Sequence, residues 1–80
     1  MKGIVKYVDK STGRTVLQTD DGYTVFDIHS GEVNIGDTIS GNLNDLGSNN
    51  LFDQTTGHTL HVYIEATQAD LVFARSLLRH

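Results

Sequence analysis

Apolar residues in most of this chain recur at every second position, in short runs that end on Gly, Asp or Asn. That spacing marks half-buried β-strands, because successive strand side chains point to opposite faces. Residues 3–9 carry Ile4, Val5, Tyr7 and Val8, all good strand formers. Lys10-Ser11-Thr12-Gly13 then reads as a turn. Residues 14–19 form a second strand with Val16 and Leu17, and Asp20-Asp21-Gly22 is a strong hairpin signal. Residues 23–29 form a third strand, in which Phe26 and Ile28 share one face and alternate with Val25 and Asp27, so that Phe26 points to the core. These three strands predict a meander.

Gly31, Asn34 and Gly36 break the pattern over residues 30–36, where Val33 and Ile35 are expected to tuck into the barrel mouth. Residues 37–43 read as a fourth strand with Ile39 and Leu43 on one side. Residues 44–50 read as a turn or loop, and residues 51–54 as a short strand. Residues 59–65 give the clearest alternation, with Leu60, Val62 and Ile64 against Thr59, His61, Tyr63 and Glu65. The period then changes. Leu71, Ala74 and Leu78 fall on one helical face, widened by Phe73 and Leu77, with Thr67 as N-cap and Asp70 near the positive end of the helix dipole. Arg75 and Arg79 fall in its last turns. The expectation is one domain over residues 1–80: a mainly β, five- to six-stranded antiparallel OB-like barrel over 1–65, and a C-terminal α-helix over 67–79. Such a helix most simply plugs an open barrel end, and a dimer seam is the alternative.

Composition narrows the function classes. Eighty residues leave a thin core and no deep interdomain cleft. There is no cysteine, hence no disulfide framework and no thiolate metal site. The opening residues lack the apolar run of a signal peptide, and no segment approaches the ~20 apolar residues of a membrane span, so a cytoplasmic protein is expected. The net charge of −4 opposes strong nonspecific polyanion binding. The charges are segregated, however. Lys2, Lys6, Lys10 and Arg14 open the chain, no Lys or Arg lies between Thr15 and Ala74, and nine of the ten acids lie there. A locally basic hairpin on an acidic body matters more to a partner than the net charge does. Alternatively, those lysines only blunt an exposed edge strand.

The first thirty residues resemble the start of a cold-shock domain. Residues 1–9 are similar to that family's opening strand, with Lys6 and Tyr7 at the positions of its lysine and aromatic. Residues 11–17 stand where the family places its first RNA-binding motif, and residues 24–29 where it places the second. The resemblance covers under half the chain and implies an OB fold. Arg14 and Val16 occupy the positions of the first motif's stacking rings, His29 is shifted by one position, and the C-terminal half is unlike the family.

The candidate binding set is Lys2, Lys6, Tyr7, Lys10, Arg14, Tyr23 and His29, in which rings stack bases and cations hold phosphates. The tyrosines can equally be cross-strand packing residues. His58 and His61 would point to opposite faces of a strand, so no metal site is expected. No carboxylate pair, nucleophile–base pair or phosphate-binding loop has catalytic spacing, so no enzyme activity is expected. No cofactor is expected, and the interior is too small for a roomy ligand cavity. The reading is a small non-catalytic module that binds single-stranded RNA or DNA weakly through its basic and aromatic N-terminal face. The alternative is a protein-interaction or self-assembly module, with a protein partner or a homodimer docking on a sheet edge or the helix.

Overall fold

The computed structural model describes residues 1–78 and shows a closed barrel of six antiparallel strands with one short helix. The strands are β1 (Lys2–Asp9), β2 (Arg14–Thr19), β3 (Gly22–Ser30), β4 (Thr38–Ser40), β5 (Gly47–Asp53) and β6 (His58–Ala69). The helix α1 spans Leu71–Ser76. Around the barrel the order is β1-β2-β3-β6-β5-β4, so two consecutive meanders meet along β3–β6 and along β1–β4. Every strand is paired on both sides, and among the described residues no free edge strand is left for lysines to blunt or for a partner strand to extend.

The alternation fills the interior as expected. Val5, Leu17, Phe26, Val33, Ile39, Leu43, Leu51, Leu60, Val62 and Ile64 form one buried cluster. Phe26 is fully buried there. Thr24 is also buried, and its hydroxyl donates to the Leu43 carbonyl at 3.0 Å, which spares a polar group from burial without a partner.

Several boundaries differ from the sequence expectation. The fourth strand shrinks to three residues, although Ile39 and Leu43 are both buried. Residues 47–50, expected in a loop, belong to β5 and pair with β6. Their polar side chains carry no apolar period, and backbone pairing with the long β6 holds them instead. Ile35 is 68% exposed; only Val33 reaches the mouth. β6 runs four residues beyond the expected strand end, and Thr67 is therefore part of a strand rather than an N-cap. Asp70 caps the helix, accepting from the Phe73 N–H at 2.8 Å. Arg79 and His80 lie outside the described residues.

The helix does not plug a barrel end. It packs on the outside, against β3 and β6. The physical reason is a second apolar cluster on the outer face: Val16, Val25 and Ala74 are buried, with Tyr7, Tyr23, Ala66, Ala69, Leu77 and Leu78 packed around them. An outer sheet face bearing Val16 and Val25 needs a cover, and the small side chains of Ala66 and Ala69 let the helix approach. α1 docks through Ala74 and the residues after it, while Leu71 and Phe73 are exposed. No helix among the described residues is long and apolar enough to cross a membrane.

Candidate nucleic-acid interface

A β-bulge builds the outer face. Simple alternation from the buried Val5 would turn Lys6 outward and Tyr7 inward. The β1–β2 register shifts between Val5 and Tyr7, which sets Tyr7 opposite Val16 in the outer cluster while Lys6 is also exposed. Val8 returns to the inner core. The bulge is what lets Lys6 and Tyr7 share one side of the sheet.

The expected site residues separate into three groups. Lys2, Lys6 and Lys10 are exposed along β1 and its turn and enter no ion pair among the described residues. Tyr7, Arg14 and Tyr23 are half-buried beside the C-terminal segment. His29 lies elsewhere, in a shallow polar depression on the β3–β6–β5 side with His61, Ser48 and Asn50. The structure therefore does not bring His29 to the Tyr7 face.

Arg14 is already engaged. Its Nε and Nη2 donate to the two carboxylate oxygens of Asp27 at 2.7 and 3.0 Å, a bidentate pair formed across the β2–β3 register. Its Nη1 donates to the Leu77 carbonyl at 2.9 Å. Hydrogen bonding to Asp27 raises the Arg14 pKa, and the same bonds hold the Asp27 carboxyl below the ordinary carboxylate range. The Arg75 guanidinium sits over the Tyr7 ring, 5.5 Å from its centroid. The Arg14–Asp27 pair joins residues thirteen apart and has no mark in the sequence. Sequence reasoning missed Arg75 as the partner of Tyr7, since nothing local links residues so far apart.

A second polar cluster lies at the seam where β4 joins β1 and β5. Asp37 and Asp53 are both buried. Asp53 Oδ1 accepts from the N–H groups of Thr55 and Thr56 at 2.9 and 3.2 Å, and Asp37 Oδ2 accepts from the Asn34 N–H at 3.0 Å. Asp53 Oδ2 has no partner. Burial, and then the neighbouring carboxyl of Asp37, push the Asp53 pKa up. This pair escaped sequence reasoning, although the alternation of Leu51 and Asp53 does set Asp53 on the inner face. No group of three or more His, Asp or Glu side chains among the described residues is placed to hold a metal ion.

Fold and site define a small closed β-barrel that carries a basic strand beside a helix-covered aromatic face. Compared with known proteins, the chain matches no family model, no curated protein and no solved structure.

Proposed function

We propose that the protein is a non-catalytic module that binds single-stranded RNA or DNA weakly, along β1 and the aromatic face beside it. The observation that carries this reading is the Arg75 guanidinium over the Tyr7 ring, on a barrel whose first strand and turn carry the exposed Lys2, Lys6 and Lys10. Exposed lysines that enter no ion pair among the described residues can hold phosphates, and a ring that already accepts a guanidinium can accept a base. The resemblance of the first thirty residues to a cold-shock domain implies the OB fold, an architecture used for oligonucleotide binding, though the stacking rings of the first motif are replaced by Arg14 and Val16. Two or three phosphate contacts imply a shallow salt dependence, with a log–log slope of roughly −1.4 to −2. Titration of labelled oligo-dT and oligo-rU at ~50 mM salt, where phosphate contacts are strongest, tests this. Lys6→Glu and Tyr7→Ala should each weaken binding several-fold. Unchanged affinity in both variants would rule out this face.

A second reading has its own observation. Leu71, Val72 and Phe73 are 37%, 80% and 52% exposed and consecutive on α1, an apolar turn suited to a protein partner or a second copy. Closure of the barrel leaves the helix, not a sheet edge, as the surface for that role. Light scattering over a concentration series tests it: Val72→Asp should abolish any dimer.

A further inference from the structure

We propose that α1 is a displaceable cover over the base-binding face, so that single-stranded nucleic acid and the protein's own C-terminal segment compete for Tyr7, Tyr23 and Arg14. The inference rests on the nucleic-acid reading above and adds to it a closed and an open form.

The contacts made by the C-terminal segment resemble those of the ligand it would exclude. Asp27 takes two of the five N–H groups of Arg14, and the Leu77 carbonyl takes one of the Nη1 N–H groups that remain, where a phosphate oxygen would otherwise sit. Carbonyls at a helix C-terminus carry partial negative charge, so this oxygen is a fair stand-in for a phosphate. Arg75 lies on the Tyr7 ring, the position a stacked base would take. Tyr23, with Val16 and Val25, completes the covered surface.

The cover is also lightly held. α1 is six residues long and buries one residue fully, Ala74. A helix that short has no independent stability in water and depends on its docking. The barrel, by contrast, is closed without the helix: all six strands pair with each other. Displacement therefore costs the outer cluster and leaves the inner core intact.

The full-length chain provides the test, with fluorescein-labelled oligo-dT and oligo-rU at low salt. Ala74→Gln and Leu77→Ser weaken docking without adding charge. If the closed form holds about nine-tenths of the wild type, each variant should bind roughly tenfold more tightly, because apparent affinity scales with the competent fraction. Saturating oligonucleotide should also speed hydrogen exchange of the Ala74 and Leu77 amides in the wild type while the strand amides keep their protection. That second measurement decides the matter even if a variant fails to fold. Added protection at Ala74 and Leu77, or equal affinity in variants and wild type with the Lys6→Glu effect retained, overturns the cover and leaves the binding reading standing. Absence of binding by all of these proteins overturns the binding reading itself.

Discussion

One sheet carries apolar clusters on both of its sides, and the two are maintained differently. The inner cluster draws on β1, β2, β3, β4, β5 and β6, and a closed ring of backbone hydrogen bonds surrounds it. The outer cluster, around Val16 and Val25, depends on α1 and the two residues after it, fixed by one capping bond, one guanidinium and one stacked cation. Each inner residue is backed by neighbours from several strands, so removing one disturbs the whole barrel. The outer cluster rests on those few contacts and one short segment. Rigidity and adjustability are thus separated by one layer of strand.

The largest test of that contrast is Phe26→Ala. It empties the centre of the inner cluster and should cost about 3–5 kcal/mol. Denaturant unfolding should show one transition moved to lower concentration, with inner and outer probes moving together. If only the outer probes moved, the inner cluster would not be the shared foundation.

Arg14→Ala should cost less, about 2 kcal/mol, since it removes charge-assisted bonds to a partly exposed carboxylate. Its effect should fall first on the outer side, as faster exchange at Ala74 and Leu77. The same pair has a pH signature. Because the Asp27 pKa is lowered in the fold, its stabilising contribution is complete above the ordinary carboxylate value of about 3.9 and is lost as pH falls through the lowered value. An Asp27→Asn variant should lack that acid-side loss in a series of melts.

The smallest effect has the opposite sign. Asp53→Asn keeps an acceptor for the Thr55 and Thr56 amides and gives the unpartnered position a donor toward Asp37, so it should stabilise the protein by about 1 kcal/mol at pH 7. The Asp53 pKa is raised in the fold. Its contribution is therefore complete below the ordinary carboxylate value and disappears as pH rises through the raised one. Wild type should show that dependence and the variant should not; a variant that melts lower at pH 7 would contradict the assignment.

Much of the barrel was legible because its inner residues obey a period of two. Leu60, Val62 and Ile64, or Phe26 and Ile28, announce their face without help. What was not legible depends on breaks in that period. The bulge at Lys6 has no sequence mark, and without it Tyr7 appears to face the core. Residues 47–50 carry no apolar period, yet they pair with β6 along their length. The helix was recognisable from Ala74, Leu77 and Leu78, but its start was displaced because alternation ended at Glu65 while backbone pairing continued to Ala69. Of the candidate site, the lysines stand out by charge segregation, and Lys6 also by its position in the opening strand. The engagement of Arg14 by Asp27 and Leu77 was not, because it joins residues distant in the chain.

The strand order has a consequence for synthesis. The β3 edge of the first meander, β1 to β3, finds its neighbour only in β6, the last of the six strands to be made. At ~5–20 residues per second, residues 30–69 take about 2–8 s to emerge. During that interval Leu17 and Phe26 have no opposite wall, and the nascent chain is most open to premature association while it waits to be sealed by its own tail.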